Sequence, residues 1–317
     1  MKKKQLGRTD ILVSEIAFGG VEIGIPYGIG VHSEANMLTK QDAVRLLHQA
    51  FDQGISFFDT ARSYGESERL MGLAFKDSRQ QVVLASKCRH LRQADGQLIN
   101  RANLENYIRA SLQESLQSLQ TDYVDLYMVH YADKELLNND EISRIFVDLK
   151  QEGLVRAIGV SVYKPEETGL AVAARIWDAI QLPFNLMDQC HGQFFEQAYK
   201  TGVAIIVRSV LMRGMLTDRM QKLHPALHAV EQHIYSYRKL LDGKFNSLPQ
   251  FATRFALSHD AVSSVLVGID KQQYLDEAIA SASGSRFDED LLRQVQSMGY
   301  PQPGFLNLAE WDKNGWL

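Results

Sequence analysis

Eight short, almost uninterrupted apolar runs, separated by longer stretches of helical periodicity, constrain this chain more than any other feature. They cover residues 16–18 (closed by Gly19 and Gly20), 55–59, 82–87, 124–130, 156–161, 179–183, 203–209 and 263–268. A strand with one wet face alternates apolar and polar residues. A strand covered on both faces reads continuously, as parallel strands flanked by helices do. Between the runs, residues 41–53 set Ala43, Leu46, Leu47 and Ala50 on one helical face. Residues 103–119 do the same with Leu104, Ile108, Leu112 and Leu116, and 141–151 with Ile142, Ile145, Phe146 and Leu149. Eight strand-plus-helix units in order predict a closed (β/α)8 TIM barrel, an α/β fold. A doubly wound open sheet is the competitor, and it usually announces a Gly-rich phosphate turn that opens a helix. Phe18-Gly19-Gly20-Val21-Glu22-Ile23-Gly24 matches that turn poorly, because a long Gly-containing loop follows it.

The length of 317 residues suits one barrel with long loops and needs no staple or metal for stability. A net charge of −4 argues against a nucleic-acid partner, which selects for a basic surface. Met1-Lys2-Lys3-Lys4 resembles the start of an export signal, but Gly7, Arg8, Thr9 and Asp10 interrupt the apolar stretch that should follow. No segment approaches the ~20 apolar residues of a membrane span. Cys88 and Cys190 sit beside apolar runs, without the spacing of metal ligands. The expectation is a cytoplasmic protein with reduced thiols, no membrane partner and no bound metal; nothing in the sequence speaks to oligomeric state.

Strand interiors are apolar, so the polar residues that end them stand out: Asp59, Lys87, His130 and Ser161. Singly, each has an ordinary explanation: a helix cap, a solvated rim charge, a satisfied core histidine. In a barrel, however, all C-terminal strand ends share one rim, where sites are built. The loops on that rim are residues 22–38 (with Pro26, Tyr27, Gly28, Gly30 and His32), 131–140 and 210–246. The tail from Gly299 carries Pro301, Pro303, Phe305, Trp311 and Trp316, suited either to a site wall or to a satellite cluster.

Asp59-Thr60-Ala61 followed by Tyr64-Gly65-Glu66-Ser67-Glu68 and Gly72 resembles the second-strand signature of the aldo-keto reductases. Ala85-Ser86-Lys87, then Asp125 to His130, Ile158-Gly159-Val160-Ser161, Gln181 with Asn185, Ser209 to Thr217 and Ser264 to Gly268 continue that similarity in order. It runs from about residue 4 to about residue 282. The resemblance implies a single barrel domain over residues 1–317, with 1–13 a hairpin under the barrel and 299–317 a C-terminal tail. It also implies an NAD(P)-dependent oxidoreductase that interconverts a small-molecule carbonyl and an alcohol, with Tyr64, Asp59, Lys87 and His130 as the catalytic set. Tyr64 would be the general acid, an ammonium at Lys87 would lower its pKa, Asp59 would hold Lys87, and His130 would orient the carbonyl.

By the same resemblance Ser161 and Gln181, supported by Asn185, hold the nicotinamide carboxamide. Gly20 and Val21 lie against the ribose, and Ser209, Leu211, Arg213 and Gly214 line the pyrophosphate. Gly268, Asp270, Tyr274 and Glu277 belong to the adenosine end. Two departures matter. Arg208 stands where the family stacks an aromatic ring on the nicotinamide; it would either stack there itself, repelling the cationic oxidised ring and favouring the reduced cofactor, or swing to a phosphate or carboxylate. Asp270 replaces a hydroxyl residue, and a carboxylate there repels a 2′-phosphate, which favours NAD over NADP; a helix-capping role is the alternative. Two other functions compete: a catalytically weak regulatory or partner-binding subunit on the same fold, and a lyase using Lys87 as a Schiff base.

Overall fold

Strand pairing accounts for the whole architecture. In the computed structural model, which describes residues 1–27, 33–217, 223–241 and 243–316, eight parallel strands close into a barrel with helices outside. Gly28, Gly30 and His32 of the first rim loop, and 218–222 and 242 of the long one, lie outside the described residues. Two short strands come first, β1 (Lys3–Gln5) and β2 (Leu12–Ser14), paired antiparallel. The barrel strands are β3 (Ile16–Gly19), β4 (Phe57–Asp59), β5 (Val83–Lys87), β6 (Val124–Val129), β7 (Val155–Ser161), β8 (Ala179–Pro183), β9 (Ala204–Arg208) and β10 (Val262–Gly268). Each pairs with its neighbour in order, and β10 closes on β3. Every apolar run of the sequence is one of these strands, within two residues.

The helices follow the periodicity with equal fidelity. Lys40–Asp52 is capped by Thr39 and buries Ala43, Leu46, Leu47 and Ala50. Arg101–Leu119 starts at an Asn100 cap and ends at Gln120 in a left-handed conformation, and Asp140–Gln151 starts at an Asn139 cap. Each cap satisfies backbone N–H groups that the first turn cannot. No helix among the described residues is long and apolar enough to cross a membrane.

Side chains alternate along a strand, and that period of two positions the site. Ala17, Phe57, Ala85, Leu126, Met128, Ala157, Ala179, Ala204 and Ile206 pack together inside the barrel, joined by Leu6, Ile11 and Val13 of the β1–β2 segment. Phe18, Phe58, Leu84, Tyr127 and Val160 belong instead to the layer between strands and helices. The hairpin turn presses on the lower ends of the strands: a Cβ on Gly7 would meet Gly202 O and Ala204 N. Counting up from the interior set in steps of two reaches Gly19, Asp59, Lys87, His130, Ser161, Gln181, Arg208 and Gly268. Each strand thus delivers one inward residue to the upper rim.

Candidate active site

Four of those residues form one buried hydrogen-bonded chain. Lys87 Nζ donates to Asp59 Oδ2 at 2.6 Å and to the carbonyl of Thr60 at 2.9 Å. Gln181 Nε2 donates to Asp59 Oδ1 at 2.8 Å, and Ser161 Oγ donates to Gln181 Oε1 at 3.3 Å. Asp59, Ser161 and Gln181 face the cavity, whereas Lys87 is fully buried behind Asp59. A lysine so enclosed and doubly bonded offers no free amine to a carbonyl, which removes the Schiff-base alternative.

Tyr64 comes from the turn after β4, tied by the Tyr64 N–H to Ala61 O at 3.0 Å and the Ser67 N–H to Tyr64 O at 3.0 Å. Gly65 follows at φ +49°, and a Cβ on it would collide with Gly24 O, so only glycine lets the turn press on the loop after β3. The Lys87 ammonium lies 4.9 Å from the Tyr64 ring centroid. The His130 ring meets Tyr64 edge-on at 5.7 Å, and His90 stacks on the other side of His130 at 4.5 Å. Ser63 Oγ lies 3.2 Å from His130 Nδ1.

The electrostatics correct one expectation. The Tyr64 phenol is raised well above the usual value for tyrosine, by burial first and by the Asp59 carboxylate second, with Arg208 acting the other way. The expected lowering by Lys87 does not occur. That ammonium is committed to Asp59, and its own pKa is pulled down by burial while Asp59 holds it up. His130 is pushed down to about 2, by burial and then by the charge of Lys87. It is therefore a neutral ring. If Ser63 donates to Nδ1, the ring proton sits on Nε2, free to donate.

Above this floor opens a cavity of about 1290 Å³. That exceeds the usual size of a small-ligand pocket and suits a dinucleotide plus a small substrate. Along one wall, Ser209, Met212, Arg213 and Gly214 have φ of +59°, +47°, +54° and +103°. The turns they form are closed internally, the Met212 N–H donating to Ser209 O at 3.0 Å and the Gly214 N–H to Leu211 O at 2.9 Å, and they carry the Arg213 guanidinium on the cavity wall, a cation suited to a pyrophosphate. The donor set and this wall fit a nicotinamide dinucleotide.

Of the residues singled out in the sequence, Gly20, Val21, Ser161, Gln181, Arg208, Ser209, Leu211, Arg213, Gly214, Gly268 and Asp270 line the cavity, as do Asp59, Tyr64 and His130. Tyr274 and Glu277 do not: Tyr274 lies 5.7 Å beneath the Lys271 ammonium, and Glu277 is exposed and accepts from Gln273 Nε2 at 2.9 Å. Asp270 precedes the N-cap of helix Gln272–Ala282, which is Lys271, so it is not the cap. Asn185 ties two loops, donating to Ser209 O at 3.3 Å and accepting the N–H groups of Met187 and Asp188. Arg208 stacks on Tyr163 at 4.0 Å and donates to Val162 O at 3.1 Å, and among the described residues it has no carboxylate partner. The tail serves both purposes, since Phe305 clusters with Trp311 and Trp316 while Pro303, Leu306 and Trp316 line the cavity.

Sequence reasoning missed Ser63, His90, Tyr163 and Glu22. His90 and Tyr163 lie two or three residues beyond strand ends already marked by Lys87 and Ser161, so extending the search past each strand would have found them. Glu22 had no such signal: its carboxylate sits where a Cβ on Gly268 would be, a contact between distant segments.

Comparison with known proteins places these features in context. The sequence pattern of the Aldo/keto reductase family matches residues 15–299. The chain is 27% identical over 310 residues to the uncharacterized oxidoreductase YqkF of Bacillus subtilis, covering 94% of this chain and 96% of that one. It is 27% identical over 325 residues to an NADH-specific methylglyoxal reductase of Escherichia coli, covering 93% and 98%. Among solved structures, aldo-keto reductase AKR11C1 from Bacillus halodurans, in its holo form, superposes with a TM-score of 0.80 at 26% identity, covering 96% and 99%.

Proposed function

The chain belongs to the aldo/keto reductase family and is an NAD(P)-dependent oxidoreductase, and from that premise we propose that it reduces a small aldehyde, ketone or sugar carbonyl with Tyr64 as the proton donor. The observation that carries this reading is the meeting of Tyr64, His130 and the Lys87–Asp59 pair at the floor of one cavity. When bound, the nicotinamide supplies the hydride. The substrate carbonyl carbon accepts that hydride, and its oxygen accepts the Tyr64 proton, giving the alcohol. A phenol held above its usual pKa keeps that proton at neutral pH until charge develops on the oxygen. Neutral His130 donates to the same oxygen and orients it. The Lys87–Asp59 pair sits against the Tyr64 ring as an ion pair and fixes the polar floor, while the cation whose field favours the phenolate left after transfer is Arg208. Ser161 and Gln181 offer a hydroxyl and an amide to the carboxamide, and the segment 209–214, with Arg213 on the cavity wall, faces the pyrophosphate.

The preferred dinucleotide in this reading is NAD(H). Asp270 and Glu22 bring two carboxylates to the end of the cavity near Gly268, where a 2′-phosphate would meet like charge. The Escherichia coli relative that is named NADH-specific supports the same preference.

Tyr64→Phe tests the assignment. The variant keeps the ring against His130 and loses only the proton, so dinucleotide affinity should hold within about twofold while kcat falls by about 10²–10⁴. Near-normal turnover would remove Tyr64 from the role, and a parallel loss of dinucleotide binding would mean that the hydroxyl supports the cavity instead.

A further inference from the structure

Arg208 enters the chemistry above only through its field, and its setting is unusual. It ends β9, faces the cavity, and among the described residues has no carboxylate partner: its hydrogen bonds go to Val162 O at 3.1 Å and Ser209 Oγ at 3.4 Å. Its Nε is buried without an acceptor. Arg213, the other arginine of the cavity wall among the described residues, differs, with Asp312 at 3.9 Å and Tyr27 beneath it at 5.1 Å. Arg208 is instead held by a face. Its guanidinium lies 4.0 Å from the Tyr163 centroid, a contact that fixes a cation without neutralising it.

Tyr163 is held from both sides. Glu167 accepts the N–H groups of Tyr163 and Lys164 at 2.9 and 2.8 Å. His191 Nε2 lies 3.3 Å from Tyr163 O, and Thr168 Oγ1 lies 2.7 Å from His191 Nδ1. Burial lowers the His191 pKa to about 4, so the ring is neutral, with Nε2 donating to Tyr163 and Nδ1 accepting from Thr168. These contacts fix the backbone that carries the Tyr163 ring, and with it the face on which the guanidinium rests. Its field reaches the reaction centre, where it lowers the pKa of Tyr64, Lys87 and His130 alike.

The two redox forms of a nicotinamide differ by one positive charge on the ring. We propose that Arg208, held flat on Tyr163, discriminates against the cationic, oxidised ring in favour of the neutral, reduced one, so that the site fills with the reduced form and readily releases the oxidised one. Tyr163, Glu167 and His191 are positioning residues for it. The inference rests on the proposed function, in which the nicotinamide end lies against Tyr64 and His130.

Calorimetric titration of NADH, NAD+ and ADP-ribose against wild type, Arg208→Gln and Arg208→Lys tests it. ADP-ribose carries the phosphates without the ring, and its binding also reports that a variant is folded. Wild type should bind NADH at least about tenfold more tightly than NAD+. Arg208→Gln should shrink that ratio about five- to tenfold, about 1–1.4 kcal/mol, and leave ADP-ribose unchanged. Arg208→Lys, which keeps the charge, should retain most of the ratio. If Arg208→Gln weakens all three ligands equally, Arg208 grips phosphate and the inference is wrong. A ratio near one in wild type, with both dinucleotides bound, also overturns it but spares the proposed function. Failure of wild type to bind any of the three, or their 2′-phosphate counterparts, overturns both.

Discussion

Replacing Asp59 by Asn keeps the shape of the side chain and removes one charge and one acceptor at the centre of the buried chain. In wild type one carboxylate oxygen accepts from Lys87 Nζ at 2.6 Å and the other from Gln181 Nε2 at 2.8 Å. Asn has a single acceptor oxygen, so one of those donors loses its partner. The larger cost is electrostatic, because Lys87 is fully buried and its ammonium would have no counter-charge. Breaking a buried pair from one side costs about 3–5 kcal/mol. For a chain of this length the unfolding entropy is about 0.7 kcal/mol/K, so the melting temperature should fall by about 4–7 °C. The loss must also depend on pH. Without Asp59, burial drives the Lys87 pKa lower still, so the folded variant gives up that proton while its unfolded state keeps it until near pH 10.4. In that window the unfolded state binds more protons, and stability rises with pH. The gap to wild type therefore narrows as pH rises, until wild-type Lys87 itself deprotonates. Differential scanning fluorimetry at several pH values reads both effects. A loss below about 1 °C, or a gap to wild type that does not change with pH at all, would falsify the claim that Asp59 compensates a buried charge.

Three further outcomes are expected. The raised pKa of Tyr64 keeps it a phenol at neutral pH, so carbonyl reduction should be flat from about pH 6 to 9, whereas alcohol oxidation, which needs the phenolate, should climb through the alkaline range without a plateau below about pH 10; initial rates in both directions against pH check this. Trp316→Ala removes a cavity wall that stacks on His224 at 5.9 Å, and should raise KM for the carbonyl substrate several-fold while the dinucleotide Kd stays put. Asp270→Ser removes a partly exposed carboxylate from the cavity, worth about 1 kcal/mol against a 2′-phosphate after screening, so NADPH should bind several-fold more tightly and NADH no better in a fluorescence titration.

Why some of this was legible in the sequence and some was not follows from the range of the forces involved. The barrel was legible because each strand carries its evidence locally: an apolar run, a turn, an amphipathic helix. The floor of the site was legible for a related reason. A period of two, counted up from Phe57, Ala85, Met128 and Ala179, delivers Asp59, Lys87, His130 and Gln181 to the same rim. Helix phase was less accessible. Asp270 sits before the N-cap and faces the cavity, while Glu277, two turns into helix Gln272–Ala282, points to solvent, and residue spacing alone does not say how that helix is rotated against β10. The pose of Arg208 depends on Tyr163, 45 positions earlier and on a loop two strands away in the barrel. The ionisation of Tyr64 was least accessible of all. Its sign is set by burial first and the Asp59 carboxylate second, both raising it against the field of Arg208, and how deeply a ring is buried is a property of the folded chain. Reading an ammonium beside a phenol as an activator leaves out both burial and the carboxylate. In this fold the ammonium already has a carboxylate on it, and what reaches Tyr64 is the field of an ion pair rather than of a free cation.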